Sequence, residues 1–367
     1  MNKVLFLVNG EVGIYNLRRE LVQELLDDNY QVYISCPAGE KTEKLVQMGC
    51  HHIDLRLNRH GKNPIEDFKL LAYYLRIIKK VNPDAVLTYT TKPNIYGSLA
   101  AKILKIPFVT NITGLGTAVS NSGILQKLTI FLYKLSQRSS VITYFQNNSD
   151  LKFFQEKNVI GTKYHVLPGS GVNIQQFNLL PYPGNEQPTE FIFIARIMKE
   201  KGIDQYLSTA EYIVNKYPRT KFHICGFLED NYKEILQKYE KKGIIEYHGM
   251  VKDIHAILEQ MSCTIHPTYY PEGMSNVILE SAASGRPVIT TNRPGTKEAI
   301  INGKTGYIFE AKDTEGLIAR VEQFLSLSHK QRVKMGTDGR KYITENFNRQ
   351  IIVDEYMKTI RGICGND

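Results

Sequence analysis

The chain has 367 residues, 42% of them hydrophobic, and a formal net charge of +9. This length exceeds what one hydrophobic core comfortably serves, so we expect two domains. No stretch of about 18 consecutive apolar residues occurs and the apolar run Met1–Val8 is too short for a secretory signal, which predicts a cytoplasmic protein without a membrane span. The five cysteines are widely spaced and include no Cys-x-x-Cys pair, which argues against a disulfide framework and a zinc site.

The positive charge is concentrated in the first half of the chain. Residues 1–175 contain 21 Lys and Arg against 13 Asp and Glu, whereas the remainder has 25 against 24. A basic domain can bind nucleic acid, an anionic membrane or a phosphorylated substrate, and it can also have a basic surface without a specific partner. The basic residues are dispersed and no nucleic-acid-binding motif is present, so we do not expect nucleic acid as a partner.

Short β-rich runs alternate with amphipathic helical patterns in this first half. The predicted strands are Lys3–Asn9, Gln31–Cys36, His52–Leu57, Ala85–Thr90, Phe108–Ile112, Val141–Phe145 and Tyr164–Leu167. The predicted helices are Leu17–Leu26, Phe68–Val81, Tyr96–Leu104 and Leu125–Leu135. Strands separated by helices indicate a parallel sheet with both faces covered.

Proline, glycine and polar residues cluster at 168–171 and again at 181–188, which is typical of a linker. The alternation of strands and helices then restarts. The second set of predicted strands is Phe191–Ala195, Lys221–Cys225, Ile245–His248, Cys263–Pro267, Pro287–Thr291 and Tyr307–Phe309. The pattern predicts an α/β protein of two Rossmann-like, doubly wound domains facing a central cleft, with ligands beyond the carboxyl ends of the strands. We assign them to residues 1–170 and 171–349, followed by a C-terminal helix within 350–367.

The stretch Pro271–Glu280 combines two glutamates, a glycine and a helix start at a predicted strand-to-helix turn. A helix that begins near Ser275 offers free N–H groups and a positive dipole end to a phosphate. Gly273 allows the backbone to approach a ligand closely. Glu272 and Glu280 could hold a sugar and a ribose, or both could be solvated surface carboxylates.

A second group of candidates follows the first strand of the second domain. Arg196 stands where this strand ends, and Lys201 precedes the next helix. A planar guanidinium beside a point charge suits a diphosphate, although such residues are often simply exposed. Together with the glutamates, these cations favour a nucleotide-sugar site.

These residues, with Gly285-Arg-Pro-Val-Ile289, resemble family 4 of the retaining glycosyltransferases, which have the two-domain GT-B architecture. The first half resembles the capsule and O-antigen branch of that family. The matching residues are Arg59, Asn63 with Pro64, Thr91-Lys-Pro-Asn-Ile-Tyr-Gly97 and Asn111-Ile-Thr-Gly-Leu-Gly116. The likeness spans nearly the whole chain. It implies that the C-terminal helix Gln350–Ile363 crosses back onto the first domain.

The resemblance also implies roles for individual residues. Arg196 and Lys201 would neutralise the donor diphosphate, Glu280 would bind the ribose, and Glu272 would contact the transferred sugar. The remaining donor-binding candidates are Gly273, Met274, Ser275 and Asn276. We assign catalysis to Glu272, Arg196 and Lys201. Such enzymes retain the anomeric configuration, commonly through a front-face substitution that needs no protein nucleophile.

Two departures from the family pattern affect the expected chemistry. Many relatives have histidine where this chain has Thr113, so a catalytic contribution from that position is not carried over. No Asp-x-Asp occurs and few carboxylates suit a hard cation, so we expect no metal and no other cofactor.

The resemblance places the acceptor against the first domain, where Gly10–Gly13 is predicted as a loop entering a helix. Arg18 and Lys92 could hold an acceptor diphosphate or face solvent. The full set of acceptor candidates is Gly13, Asn16, Arg18, Lys92, Asn94 and Gly114.

The segment Gly123–Phe145 mixes apolar side chains with Lys127, Lys134 and Arg138. It could lie in a membrane interface, but a helix packed between sheet and surface explains the pattern as well and is favoured. Contact with the anionic inner face of the plasma membrane is still expected, because family members act on polyprenyl-diphosphate-linked sugars.

The reaction expected from the resemblance is transfer of a sugar, of the N-acetylated amino or galactose type, from a UDP-sugar to a polyprenyl-diphosphate-linked saccharide during capsule or O-antigen assembly. Two alternatives stay open. One is a sugar-nucleotide epimerase or hydrolase of the same fold, because a fold does not fix a function. The other is a nucleotide-sugar-binding subunit without catalysis.

Overall fold

The computed structural model describes residues 1–55, 64–115, 119, 123–161 and 163–365. Arg59, Asn63 and Gly116, which support the resemblance, lie outside these ranges. The chain forms two compact units. Unit 1 comprises Met1–Gly171, Glu272–Met274 and Arg349–Asp367, and unit 2 comprises Val172–Pro271 and Ser275–Asn348.

Unit 1 contains a seven-stranded sheet in the order β3-β2-β1-β4-β5-β6-β7, and every neighbouring pair is parallel. The strands are β1 (Lys3–Leu7), β2 (Gln31–Cys36), β3 (His51–Asp54), β4 (Ala85–Tyr89), β5 (Phe108–Ile112), β6 (Ile142–Phe145) and β7 (Tyr164–Val166). All seven were predicted from β-rich runs, within a few residues at the ends. The central strands read as nearly continuous apolar runs because both faces of the sheet are covered.

The described helices of unit 1 cover the sheet, and each of them except the C-terminal helix lies between successive strands of the chain. They are α1 (Glu11–Asp27), α2 (Glu40–Gln47), α3 (Pro64–Val81), α4 (Ser98–Ile103), α5 (Ile124–Gln137), α6 (Asn148–Glu156) and α13 (Arg349–Cys364), with a π-helical turn at Pro93–Gly97 that leads into α4. The helices α2 and α6 were not predicted. In α2 only Thr42 and Leu45 are buried, so its apolar face is too small to give a clear period.

Both faces of the first sheet carry a packed core. On one face, Phe6 and Val32 pack with Leu21 of α1 and with Tyr356 and Ile360 of α13. The core on the other face contains side chains of α3, α4, β1 and β4, namely Leu5, Leu7, Tyr74, Ile78, Val86 and Ala101. The C-terminal helix is therefore an integral part of unit 1.

Unit 2 contains a six-stranded parallel sheet in the order β10-β9-β8-β11-β12-β13. Its strands are β8 (Thr189–Ile194), β9 (Thr220–Cys225), β10 (Glu246–Tyr247), β11 (Cys263–His266), β12 (Val288–Thr291) and β13 (Gly306–Phe309). Its helices are α7 (Ile203–Lys216), α8 (Lys233–Lys241), α9 (Ile254–Leu258), α10 (Asn276–Ala283), α11 (Thr314–Leu325) and α12 (His329–Asn346), with 3-10 turns at Lys199–Lys201 and Lys297–Ala299. The predicted strands again match.

The core of unit 2 is rich in aromatic side chains. Phe191 and Phe193 of β8 pack with Tyr206 of α7 and Phe222 of β9. The hydroxyl group of Tyr206 donates to the backbone oxygen atoms of Phe191 and His223, so its polar end is satisfied inside the sheet. No helix in the described ranges is both long enough and apolar enough to cross a membrane.

Candidate active site

The turn that follows β8 in unit 2 carries the two predicted phosphate-binding cations. Arg196 lies just beyond the carboxyl end of β8, and Lys201 ends the 3-10 turn Lys199–Lys201. Gly202 then adopts φ +79°, and a Cβ atom placed there would lie 2.2 Å from the carbonyl oxygen of Pro267. Only glycine fits this position without a shift of the backbone. The turn is therefore packed directly onto the segment after β11.

Arg196 and Lys201 converge on the ring of Tyr270. The guanidinium carbon of Arg196 lies 5.3 Å from the ring centroid, and Nζ of Lys201 lies 5.0 Å from it. The backbone N–H of Tyr269 donates to the carbonyl oxygen of Glu200 over 2.9 Å, which joins the two segments. Both cations are only partly buried. Two positive charges are thus held over one aromatic face and remain accessible to a polyanion.

Arg196 also has an acidic neighbour in the same unit. Its Nη1 atom lies 3.5 Å from Oε2 of Glu229, and the two side chains are 34% and 41% exposed. An ion pair this long and this exposed is weak. A diphosphate carries more negative charge than this carboxylate and can displace it from the guanidinium.

The N-terminus of α10 lies beyond β11 in the same unit. Ser275 precedes this helix, its N–H donates to Gly295 over 2.8 Å, and its Oγ atom lies 3.0 Å from Nε2 of His266. The first N–H groups of the helix have no acceptor within it. Asn276, the first helical residue, has a buried Oδ1 atom without a hydrogen-bond partner. Glu280 is partly buried on the same helix. This helix end has the donors and the dipole that an anionic or polyhydroxylated ligand needs.

The segment Glu272–Met274 belongs to unit 1. Nδ2 of Asn147, the residue that caps α6, donates to the carbonyl oxygen of Gly273 over 2.8 Å and approaches that of Glu272 at 3.4 Å. A Cβ atom on Gly273 would lie 2.6 Å from the carbonyl group of Thr113. Gly273 is required here because the backbone after β5 passes against it. Of the donor-binding residues predicted from sequence, Glu272, Gly273 and Met274 are in unit 1, and the others are in unit 2.

The acceptor candidates on α1 fall into two groups. Gly13 and Asn16 are exposed on this helix, one turn apart. The helix begins at Glu11, so the prediction of a loop over Gly10–Gly13 is wrong, because Gly10 alone forms the extended N-cap. Arg18, by contrast, is 4% exposed. It lies in the core rather than on an open surface.

Arg18 is surrounded by aromatic rings of unit 1. Its guanidinium carbon lies 5.3 Å from the ring centroid of Tyr89 and 5.6 Å from that of Tyr356, and its Nη1 donates to the carbonyl oxygen of Leu17. Burial alone would lower the pKa of Arg18, but interactions with Tyr356 and Tyr89 outweigh it and raise the pKa. Burial raises the pKa of both tyrosines. Arg18 is therefore a positive charge fixed inside the core.

The remaining acceptor candidates have different environments in unit 1. Nζ of Lys92 lies 2.8 Å from Oδ1 of Asp67, and both side chains are mostly buried. Asn94 is buried, and its Nδ2 donates to the carbonyl oxygen of Asn111 over 2.7 Å. Gly114 is partly exposed and has φ +127°. Asn94 is thus buried, whereas Lys92 and Gly114 are both partly exposed.

Two contributors to these sites were not identified from the sequence. Tyr270 supplies the ring on which both cations lie, and Asn147 holds the segment that carries Glu272 and Gly273. Tyr270 follows a predicted strand by only a few residues, so its position at a carboxyl end was an available signal. Asn147 is remote in sequence from its partner, and no local pattern marks it.

Comparison with known proteins identifies two matching families and several related enzymes. Residues 181–342 match the family described as glycosyl transferases group 1, and residues 3–147 match the family described as glycosyl transferase 4-like. The N,N'-diacetylbacillosaminyl-diphospho-undecaprenol alpha-1,3-N-acetylgalactosaminyltransferase of Campylobacter jejuni is 26% identical, with 98% of this chain and 99% of that protein covered. The capsular polysaccharide biosynthesis glycosyltransferase CapM of Staphylococcus aureus is 24% identical, with 92% of each chain covered.

Among solved structures, HepE of Anabaena in complex with UDP and glucose has a TM-score of 0.80, with 15% identity and 99% and 100% of the two chains covered. Two parallel sheets of this kind define the GT-B architecture, which confirms the predicted fold class. The two family matches together span most of the chain. The chain therefore contains a glycosyl transferases group 1 domain and a glycosyl transferase 4-like domain, which agrees with the resemblance of its motifs to family 4.

Proposed function

We propose that the protein transfers a sugar from a UDP-sugar to a polyprenyl-diphosphate-linked saccharide, with retention of the anomeric configuration, during assembly of a surface polysaccharide. In this reaction the bond between the anomeric carbon and the UDP oxygen breaks, and a bond to an acceptor hydroxyl group forms. The acceptor proton leaves with the UDP phosphate. The Campylobacter relative is named for an undecaprenyl-diphosphate acceptor, and the Staphylococcus relative is named for capsule synthesis.

The observation that carries the proposal is the convergence of Arg196 and Lys201 on Tyr270. Negative charge grows on the diphosphate as the sugar departs, and two fixed cations stabilise that charge more in the transition state than in the ground state. In the proposed reaction, the N-terminus of α10 binds a phosphate or hydroxyl group of the donor, and Glu280 binds the ribose. We assign Glu272 to the transferred sugar.

The proposed mechanism needs no metal ion and no other cofactor. Divalent cations of this kind are held by carboxylates and other oxygen ligands, whereas the sequence contains no Asp-x-Asp and the residues proposed to bind the diphosphate, Arg196 and Lys201, are cations. Arg196 and Lys201 would supply the charge that a metal ion otherwise provides. We expect the transfer rate to stay unchanged in EDTA, and a loss of turnover that Mg²⁺ or Mn²⁺ restores would contradict this part of the mechanism.

Binding and turnover experiments test the reaction. Saturation-transfer NMR against UDP, GDP and a panel of UDP-sugars should show selective binding of one UDP-sugar, with slow hydrolysis when no acceptor is present. Rapid conversion of the sugar without an acceptor would instead indicate an epimerase or hydrolase. Absence of nucleotide binding would refute the roles of Arg196, Lys201 and Glu280 together. The donor sugar is expected to be an N-acetylated amino sugar or of the galactose type.

For the acceptor, we propose contacts from the exposed residues Gly13 and Asn16 and from the partly exposed Gly114. Gly13 and Asn16 form one exposed strip of α1, and Gly114 follows the carboxyl end of β5, where ligands bind in parallel sheets. An Asn16→Ala variant should raise the KM for the lipid-linked acceptor and leave the Kd for UDP unchanged. Equal changes in both constants would contradict a specific acceptor contact.

We also propose that α5 docks on an anionic membrane surface, where a polyprenyl-linked acceptor resides. The buried face of this helix is polar or amphipathic, comprising Thr129, Tyr133, Ser136 and Gln137. Its exposed apolar side chains are Ile124, Leu125, Leu128, Phe131 and Leu135. The exposure of these five side chains contradicts the expectation that the apolar face of this segment packs between sheet and surface. Exposed Lys127 and Arg138 add positive charge beside the apolar stripe.

Vesicle cosedimentation tests this docking. The wild type should bind vesicles rich in phosphatidylglycerol and bind phosphatidylcholine vesicles weakly, and Phe131→Glu should abolish the binding. Phe68→Glu is the matched control, because Phe68 is a phenyl group on another helix of unit 1 that is even more exposed, at 75% against 55% for Phe131. An effect of Phe68→Glu as large as that of Phe131→Glu, or equal binding to both kinds of vesicle, would refute the assignment to α5.

A further inference from the structure

Two histidines and a glutamate come together at the edge of the second sheet, outside the site described above. His223 lies in β9, and Glu246 lies opposite it in the edge strand β10. His248 follows β10, and its N–H donates to the carbonyl oxygen of Ile224. Because alternate residues of a strand point to the same face, Glu246 and His248 project side by side. Parallel pairing of β9 and β10 therefore brings all three side chains to one face of the sheet.

The potential ligand atoms of this cluster are close to one another. Nδ1 of His223 lies 3.0 Å from Nε2 of His248, and it lies 3.7 Å from Oε2 of Glu246. Metal–ligand bonds of about 2.1 Å in a tetrahedral site separate two ligand atoms by about 3.4 Å. The two histidine nitrogen atoms need to open by only about 0.4 Å to meet this separation. His248 can make that adjustment because it is partly exposed and follows a strand of two residues.

A fourth side chain supports the buried histidine from behind. Nε2 of His223 is buried and makes no hydrogen bond of regular geometry, but it lies 3.1 Å from Oε2 of Glu190. Glu190 is itself positioned, because its N–H donates to Oγ of Ser262 over 3.1 Å. Histidine ligands of metal ions commonly direct their second ring nitrogen at a carboxylate, which orients the ring. Glu190 and His223 have that relation, with Nδ1 of His223 directed at the cluster.

We propose that His223, His248 and Glu246 bind a zinc-class divalent ion that ties the edge strand β10 to β9. Two imidazole groups and one carboxylate suit Zn²⁺, Co²⁺, Ni²⁺ or Cu²⁺, whereas Mg²⁺ and Ca²⁺ prefer oxygen ligands. A fourth position remains for water. Glu246 is exposed, so an ion can enter from solvent. This site differs from the expectation of no zinc site, which rested on the spacing of the cysteines.

The role of the ion is structural in this proposal. Arg196 and Lys201 follow the carboxyl end of β8, whereas Glu190 lies near the opposite end of the same strand. The edge strand β10 has only two residues and pairs on one side with β9. A cross-link between β9 and the residue that follows β10 stabilises this short pairing. Sugar transfer proceeds by the metal-independent route proposed above, so EDTA should lower thermal stability without slowing transfer at moderate temperature.

Calorimetric titration of the full-length, tag-free protein with ZnCl₂ tests the site. The wild type should bind one Zn²⁺, and both His248→Gln and Glu246→Gln should weaken binding by roughly 10- to 100-fold or more. These two variants are preferred because His223 is buried and its replacement can impair folding. The matched control is His255→Gln, because His255 is, like His248, a partly exposed histidine of the same unit, and its Nε2 lies 3.1 Å from the carbonyl oxygen of Asn178. The control should bind Zn²⁺ like the wild type.

Two further readouts distinguish this site from binding elsewhere. The Cu²⁺-loaded wild type should show two nitrogen donors by electron paramagnetic resonance, and His248→Gln should show one. Zinc at a hundred times its Kd should raise the wild-type Tm by roughly 5–10 °C and should not raise that of His248→Gln. Absence of stoichiometric binding, or binding that survives in the double variant His248→Gln, Glu246→Gln, would overturn the proposal. None of these measurements depends on donor or acceptor binding.

Discussion

Each unit contains an arginine and a lysine that the sequence analysis proposed as diphosphate ligands, but the two pairs have different environments in the structure. Arg196 and Lys201 in unit 2 are partly exposed over the ring of Tyr270. In unit 1, Arg18 is buried between Tyr89 and Tyr356, and Lys92 is paired with Asp67. A cation can neutralise a ligand only if its own environment leaves it accessible. The comparison predicts that the first pair serves catalysis and that the second pair chiefly stabilises the fold.

The largest expected effect is the loss of transfer activity in unit 2. Arg196→Ala and Lys201→Ala should each lower kcat/KM by about 10²- to 10³-fold, because each removes a charge that stabilises the departing diphosphate. The control is Lys199→Ala, which removes an exposed cation from the same 3-10 turn and should leave the rate near normal. Initial rates with the UDP-sugar and a lipid-linked acceptor measure this effect. An equal loss in Lys199→Ala would mean that general basicity, rather than position, matters.

The next effect concerns the turn that positions Lys201. Gly202→Ala introduces a side chain at φ +79° and a clash with the carbonyl oxygen of Pro267. Gly303→Ala is the control, because Gly303 has φ +78° but no atom within 4 Å of an added Cβ. The control should cost about 1–2 kcal/mol for the left-handed backbone alone. Gly202→Ala should cost at least about 1–3 kcal/mol more, because the added group overpacks the turn.

Urea denaturation measures both free energies of unfolding. Equal values for Gly202→Ala and Gly303→Ala would show that the turn relaxes away from Pro267, and the close approach would then not be what positions Lys201. A reduced UDP affinity in folded Gly202→Ala would link the packing of the turn to the donor site.

The fold was largely predictable because it rests on short-range patterns. Parallel strands buried on both faces produce apolar runs such as Phe108–Ile112 and Gln31–Cys36, whose bounds the structure reproduces. The start of α10 after Ser275 was also marked locally, by a serine before an apolar helical period. Helices with little buried apolar surface, such as α2, gave no comparable signal.

The environments of charged side chains were less predictable, because they depend on contacts between residues that are distant in sequence. Arg18 lies on an amphipathic helix among residues that alternate in exposure, and its burial depends on Tyr356, more than 300 residues away. The histidine cluster at the sheet edge likewise depends on the register of β9 against β10. Similarly, α5 exposes an apolar stripe, and periodicity alone does not show which side of a helix faces the sheet.

A stability effect without loss of donor binding is expected for the buried arginine. Arg18→Ala should lower the free energy of unfolding by about 2 kcal/mol or more, because it removes desolvated contacts with two aromatic rings and leaves unfilled space. Arg19→Ala is the control on the same helix, because Arg19 is partly exposed and should change stability by less than about 0.5 kcal/mol. Thermal or urea unfolding and the Kd for UDP check this pair. A weakened UDP affinity in folded Arg18→Ala would contradict a purely structural role.

The smallest effect concerns Lys92 and Asp67. A double-mutant cycle with Lys92→Ala and Asp67→Ala should give a coupling energy of about 0.5–1 kcal/mol, in the upper part of the range for exposed pairs, because both side chains are mostly buried. The cycle also distinguishes the two roles of Lys92 that the sequence left open. If the lysine only pairs with Asp67, both single variants should change stability and neither should change the KM for the acceptor. If it holds an acceptor diphosphate, Lys92→Ala should raise that KM whereas Asp67→Ala, which keeps the cation, should not. The second outcome would show that Lys92 contacts the acceptor. Arg18 would then be the one cation of the unit 1 pair with a purely structural role.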